Sequence, residues 1–182
     1  MFTHSEASLV RRLRDSATRH EAFEELVGRY SETLYLQIRR MVLSHDDADD
    51  ILQNTFLKAW LAVDSFRGDA KLSTWLYRIA INECLTFLQK AKLTVPIDDL
   101  ATPPAASPDG GLPAAASERA TPLPPAAIAS LPDKQRIVFN LKYFDEMKYE
   151  DMSELLHTSV GALKASYHFA VKKIEDFFNS HD

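Results

Sequence analysis

Four aspartates stand close together in the chain, and the pattern His45-Asp46-Asp47-Ala48-Asp49-Asp50 contains all of them. Grouped carboxylates can bind a metal ion, and the pair His45-Asp46 would suit a metal-dependent phosphohydrolase. However, carboxylates on a single helix supply too few convergent ligands, and no companion histidine or aspartate pattern follows. The sequence therefore predicts no metal site, no cofactor and no catalytic residue.

The same run begins a predicted amphipathic helix. Ser44 is its expected N-cap, with Asp47 as the capping-box partner, and acidic residues suit the positive end of the helix dipole. Asp47, Asp50 and Asn54 share the face opposite the apolar stripe, and Gln53 adjoins it. This face is either a solvated helix start or an anionic docking surface for a basic partner helix.

A second group of residues is aromatic and basic. Trp75, Tyr77 and Arg78 follow a glycine-containing loop at the start of a predicted helix, whose other residues already supply a core face. We therefore expect these three side chains to be at least partly exposed. They either pack between helices or stack on unpaired bases, and Asn82 could then hydrogen-bond a base edge.

A third pattern lies near the C-terminus, where a short helix (149–156), a tight turn and a long helix (160–178) predict a helix-turn-helix. The alternative is an ordinary amphipathic C-terminal helix. Outside its core face the long helix exposes residues that could meet base edges and phosphates: Ala162, Lys164, Ala165, Ser166, His168, Phe169, Lys172 and Lys173.

Apolar periodicity predicts an all-α protein with two small helical domains, 5–92 and 128–182, joined by a flexible Pro/Ala-rich linker over 93–127. The linker holds eight of the nine prolines. The predicted helices of the first domain are a long one through Phe23–Met41, one at Ala48–Val63, and one at Thr74–Ala91 capped by Ser73. The second domain opens its first helix at Leu131-Pro132.

Composition narrows the functional classes. The hydrophobic fraction of 46% suits a folded protein, and no apolar run could span a membrane. A lone cysteine, Cys84, predicts a buried inert thiol in a reducing cytoplasm. The net charge of −5 makes the chain a poor DNA binder on its own, so a partner should supply much of the grip.

Together these motifs resemble the bacterial extracytoplasmic-function (group IV) RNA polymerase sigma factors of the sigma-70 family. The resemblance covers about 20–92 (region 2) and 128–178 (region 4), with no intervening region 3. It rests on six segments: DADDILQNTFLKAW (47–60), FRGD (66–69), STWLYRIAIN (73–82), LPDKQR (131–136), YEDM (149–152) and SVG (159–161).

The resemblance implies a non-enzymatic factor that binds core RNA polymerase and promoter DNA, with an anti-sigma protein as a common further partner. Region 4 would touch the β flap, and the linker would thread the RNA path. Docking on the β′ clamp helices would use Asp47, Asp50, Gln53 and Asn54. Reading and melting the −10 element would use Phe66, Arg67, Lys71, Trp75, Tyr77, Arg78 and Asn82. Reading the −35 element would use Lys164, Ala165, Ser166, His168, Phe169 and Lys172.

Three departures from the family pattern bear on specificity. Phe169 and Ala165 stand where many members have arginine and serine, so a different −35 preference is expected. Asn54 replaces a more usual glutamate on the docking face. Trp75 is single, whereas housekeeping sigma factors have an adjacent pair, so a weaker melting wedge should demand a better-matched promoter. The alternative from another class is a stand-alone helix-turn-helix regulator.

Overall fold

The structure is a computed structural model that describes residues 4–94 and 123–181. Those residues form α-helices and one short 3-10 helix, with no strand among them, and they fall into two separate helical units. The all-α prediction with two helical domains is confirmed. The first unit contains α1 (His4–Arg14), α2 (Arg19–Val42), α3 (His45–Ala62), a 3-10 turn (Val63–Ser65) and α4 (Leu72–Thr94). The second contains α5 (Pro125–Ala129), α6 (Asp133–Tyr143), α7 (Tyr149–Leu156) and α8 (Val160–His181).

Helices α2, α3 and α4 bury the apolar stripes that the sequence predicts. On α2 the residues Leu26, Leu34, Ile38 and Met41 recur at helical spacing and are almost fully buried. On α3 the buried Thr55 donates its hydroxyl to the carbonyl of Ile51, so a polar side chain enters this core without an unmet hydrogen bond.

The start of α3 follows the prediction in part. Ser44 is the N-cap, and its hydroxyl accepts the Asp47 N–H at 3.3 Å. In a full capping box the Ser44 N–H would also donate to the Asp47 side chain. Here the Ser44 N–H donates instead to the carbonyl of Val42. Leu43 takes a left-handed conformation, and this turns the chain sharply from α2 into α3.

Two features of the first unit differ from the sequence prediction. A separate N-terminal helix, α1, packs on α2 with Leu9 and Leu13 buried. In addition α4 begins at Leu72 and not at Thr74, so Ser73 lies inside the first turn and is not its cap.

The second unit is built around a core of Ile128, Leu131, Phe139, Ala170 and Ile174. Pro125 occupies the first turn of α5, where its missing N–H costs nothing. Pro132 precedes α6 as its N-cap, one position before the helical turn that the sequence predicts for it. The short helix, turn and long helix of the predicted helix-turn-helix correspond to α7 and α8.

Both ends of the segment 93–127, predicted as a linker, are helical. Helix α4 continues to Thr94 and α5 begins at Pro125. The central part of the predicted linker, 95–122, lies outside the described residues.

Candidate functional site

The first candidate surface is the outer face of α3. Asp46, Asp50, Gln53 and Asn54 are all exposed on it, and Asp47 is half-buried beside the cap. The carboxylates therefore face solvent near the positive end of the helix dipole, and the structure leaves them available to a cationic partner.

The same face continues into two exposed leucines that the sequence analysis missed. Leu57 is 59% exposed and Leu61 is 73% exposed. They lie two and three turns beyond Asp50 on the same side of α3, since the spacing of seven and eleven residues returns to one face. An exposed apolar patch that continues an acidic and polar surface is typical of a protein-binding site. The signal was present in the sequence, as two leucines out of phase with the buried stripe.

His45 lies at the α2–α3 corner beside this surface. Its Nδ1 atom is 2.5 Å from the hydroxyl of Tyr35, and its Nε2 atom is 3.5 Å from a carboxylate oxygen of Asp49. No group of three or more His, Cys, Asp or Glu residues among those the structure describes is arranged to hold a metal ion.

The second candidate surface lies on the loop before α4 and on the first three turns of that helix. Lys71, Arg78 and Asn82 are exposed and Trp75 is half-buried. Intervals of three and four residues place Trp75, Arg78 and Asn82 on one stripe of α4. Lys71 extends this stripe at the residue before the helix, where its carbonyl accepts the Trp75 N–H at 3.1 Å. Arg67 is also exposed, next to Gly68, whose φ of +84° bends the loop. Cations, an amide and one aromatic face thus line a single surface.

Two residues predicted for this surface lie elsewhere. The prediction that Tyr77 is at least partly exposed is wrong, since the residue is only 8% exposed. Tyr77 belongs to the buried stripe with Ala80, Ile81 and Cys84, which follow it at helical spacing. Phe66 is 5% exposed and packs against Trp75, so its side chain supports the loop from within.

The third candidate surface is the outer face of α8 in the second unit. Ser159 directly precedes α8, and its hydroxyl accepts the Ala162 N–H at 3.3 Å. Ser166 is half-buried, whereas Phe169 is 55% exposed, which is unusual for so large an apolar side chain. The remaining predicted residues of this surface are exposed: Lys164, Ala165, His168 and Lys172.

One aromatic ring of α7 lies close to this surface. The ring of Tyr149 on α7 lies 4.7 Å from the ammonium of Lys142 and 5.7 Å from that of Lys164. Burial raises the pKa of the Tyr149 hydroxyl above its ordinary value. The Lys164 ammonium of α8 thus lies within range of a weak cation–π contact with a ring of α7.

Comparison with known proteins identifies the family. A family model described as Sigma-70 region 2 matches residues 26–94, and one described as Sigma-70, region 4 matches 125–174. An extracytoplasmic-function RNA polymerase sigma factor of Bacillus subtilis, SigW, is 34% identical over 157 residues, which are 81% of this chain and 84% of SigW. The chain belongs to the extracytoplasmic-function sigma factors of the sigma-70 family. This sigma factor is therefore a protein that initiates transcription, and the predicted resemblance to that family is confirmed.

Other relatives agree with this assignment. The sigma-E factor of Escherichia coli K12 is 30% identical to this sigma factor over 167 residues, 86% of each chain. The solved structure of the sigma factor RpoE of Bartonella quintana, in complex with the anti-sigma factor NepR, aligns with a TM-score of 0.62 and 23% identity. That alignment covers 86% of this chain and 96% of RpoE, and it shows a shared fold.

The family matches also bear on the alternatives. A stand-alone regulator does not account for a region 2 match over α2, α3 and α4, so that alternative is set aside. The region 4 match begins at 125, where α5 begins, and this places α5 with the second unit. None of the helices in the described segments combines the length and the apolar character needed to cross a bilayer.

Proposed function

We propose that this sigma factor, as a group IV member, divides its work among the three surfaces. The outer face of α3 docks on the β′ clamp helices of core polymerase through Asp47, Asp50, Gln53 and Asn54. The α4 surface reads and opens the −10 element, and α8 reads the −35 element. The units 5–92 and 128–182 act as region 2 and region 4, joined through 93–127. The chain itself performs no catalysis, because the polymerase makes the RNA. The complex acts in the cytoplasm.

The observation that carries the proposal is the stripe of Lys71, Trp75, Arg78 and Asn82. Lys71 and Arg78 can neutralise phosphates, while the half-buried indole of Trp75 can stack on an unpaired base. An amide one turn further can hydrogen-bond the edge of that base, since it offers both a donor and an acceptor. Extrusion of a base costs a few kcal/mol, which such a stacking surface can offset.

The docking role of α3 is supported by its mixed character. Asp50, Gln53 and Asn54 supply charge and hydrogen bonds, and Leu57 and Leu61 supply apolar area to bury. Interfaces of this kind pair an apolar centre with a polar rim. We therefore add both leucines to the proposed polymerase contact.

The −35 role of α8 depends on the exposed residues of its outer face. Lys164 and Lys172 suit phosphates, and His168 can donate to a base edge. Phe169 lies where an arginine would favour guanine, and its ring instead suits the methyl group of thymine. We infer a −35 element that differs from the family's common one at this base pair.

We also propose that an anti-sigma protein is among the partners of this sigma factor. The Bartonella quintana relative is seen in complex with such a protein, NepR. The exposed leucines of α3 would be sequestered in such a complex, and polymerase binding would be blocked at the same time.

Run-off transcription with purified bacterial core polymerase tests the proposal. Fragments of the source genome are transcribed with and without this sigma factor, and start sites that depend on it define its promoter. Dependent start sites with shared −10 and −35 sequences support the assignment. An absence of new transcripts together with no co-elution with core polymerase would contradict it.

A further inference from the structure

We propose that α1 is a brace that positions the 66–72 loop for strand capture, with Glu6 and Arg14 as its positioning residues. The 66–72 loop comprises Phe66 to Leu72, from the residue after the 3-10 turn to the first residue of α4. This inference rests on the proposed function of that loop in opening the −10 element. Helix α1 itself precedes the region 2 match, which begins at 26.

Arg14 holds the first half of the loop. Its Nη2 atom donates a hydrogen bond of 2.7 Å to the carbonyl of Phe66, 52 residues later in the chain. The loop then bends at Gly68, where a Cβ atom would lie 4.0 Å from the same guanidinium nitrogen. The backbone of the loop thus turns directly over the Arg14 side chain.

Glu6 holds the end of the loop. Its Oε1 atom accepts the N–H of Leu72 at 2.7 Å, and both residues are buried. Leu72 is the first residue of α4, so its N–H has no partner within the helix. A carboxylate at this point also suits the helix dipole, and an ionised acceptor makes the stronger kind of hydrogen bond. Glu6 therefore acts as the cap that the sequence analysis assigned to Ser73.

The brace is itself fixed to the body of the unit. Leu9 and Leu13 of α1 are buried, and Arg12 of the same helix makes a 2.6 Å ion pair with Glu25 of α2. Just beyond α1, Arg19 bonds to the carbonyl of Leu13 at 3.0 Å and to Asp64 of the 3-10 turn at 2.5 Å.

These contacts hold the loop backbone at both ends and leave its cations exposed. Arg67 and Lys71 point to solvent between the two anchor points. A loop ordered before DNA arrives loses less conformational entropy on binding, so affinity for the captured strand rises without any new contact to DNA. Helix α1 thereby favours promoter opening without contacting DNA, because it orders the loop that does.

The test uses full-length variants assembled with core polymerase. Arg14→Ala and Glu6→Ala remove the two anchors, Arg14→Lys keeps a donor, and Arg11→Ala removes an exposed cation from the same helix as the matched control. Three quantities are measured for each: affinity for core, affinity of the holoenzyme for a single-stranded −10 oligonucleotide, and midpoint of thermal unfolding. The oligonucleotide takes its sequence from the promoter found by run-off transcription.

We expect Arg14→Ala and Glu6→Ala to weaken oligonucleotide binding about tenfold, because each removes a hydrogen bond that involves a charged group. Core affinity should change by less than about twofold, Arg14→Lys should recover part of the loss, and Arg11→Ala should match the parent protein. Should Glu6→Ala fail to fold, the Arg14 variants decide the question.

Two outcomes would overturn the brace. One is unchanged oligonucleotide binding by Arg14→Ala, and the other is an equal loss of core and oligonucleotide binding, which would make α1 a general support of the fold. Lys71→Ala and Arg78→Ala test the proposed −10 surface independently of the brace. If those two variants weaken strand binding and Arg14→Ala does not, only the brace fails. If neither of them does, the proposed −10 surface fails and the brace fails with it.

Discussion

The rings of Phe66 and Trp75 lie in contact, with centroids 5.0 Å apart and planes inclined by 42°. Phe66 is buried and Trp75 is half-buried. The contact fastens the first residue of the 66–72 loop to the first turn of α4. It also supports the tryptophan ring on one side and leaves part of that ring exposed. The two aromatic residues thus have different roles, although both belong to the same predicted surface.

Phe66→Ala should lower the free energy of unfolding by about 3 kcal/mol, because it leaves a cavity beside Trp75. Urea unfolding of the full chain measures this, with Arg67→Ala as the exposed neighbour whose effect should stay below about 0.5 kcal/mol. A Phe66→Ala protein that kept its stability but lost strand binding would return Phe66 to the DNA-facing surface.

Asp50→Arg should weaken binding to core polymerase at least tenfold, or about 1.4 kcal/mol, because it places a cation opposite the basic helix we propose as the partner. Co-elution and titration against labelled core measure the loss. Glu32→Arg on α2 is the matched control, since it reverses an exposed charge outside the docking face. Comparable losses in both variants would mean that net charge, and not the α3 face, governs binding.

Lys164→Ala should weaken holoenzyme binding to −35 duplex DNA and lower the salt dependence of that binding by about one counterion. Core affinity should not change. Lys134→Ala on α6 removes an exposed cation elsewhere in the same unit and should leave the salt dependence as it was. An unchanged salt slope for Lys164→Ala would show that this cation does not meet a phosphate.

Burial raises the pKa of the Cys84 thiol to about 12 from its ordinary value of 9.0, and the Glu83 carboxylate adds to the effect. Between those values the unfolded chain releases the proton and the folded chain keeps it. The free energy of unfolding should therefore fall as pH rises through this window, by at most about 1.4 kcal/mol per pH unit. Below the window Cys84 should have no effect on it.

Urea unfolding of the parent protein and of Cys84→Ala, at about pH 8 and about pH 10, isolates the Cys84 contribution from that of the tyrosines. The alkaline loss should be smaller in Cys84→Ala. The native thiol should also react with a disulfide reagent only as the unit opens, because the thiolate is the reactive form. Rapid modification of the folded protein would contradict the buried position.

Local patterns in the sequence were enough to determine most of the helical architecture. The apolar stripes of α2 and α3, the Ser44 cap and the α7–turn–α8 arrangement each depend on residues within a few turns of one another. The outward faces of α3 and α8 follow from the same periodicity, since a residue opposite a buried stripe must face solvent. The family could be inferred for this reason too, because its motifs are short and local.

Periodicity was less decisive on α4, where apolar and aromatic residues surround much of the helix. Trp75 and Tyr77 are both large, aromatic and polar at one end, and the sequence alone treats them alike. Packing separates them: Tyr77 shares its face with Ala80 and Cys84 and is buried, whereas Trp75 leans on Phe66 at the edge of the core.

Only the tertiary structure could reveal the role of α1. The bonds from Arg14 to Phe66 and from Glu6 to Leu72 join residues 52 and 66 positions apart. No local spacing signals such pairs, because they form only when α1, α2 and α4 have packed and brought a carboxylate to an orphan N–H. The sequence by itself determined the helices and most of the outward faces on which the proposed DNA and polymerase contacts lie. The folded unit decided what holds the DNA-facing loop in place, since hydrogen bonds to backbone atoms depend on position in space and not on the identity of the residue they reach.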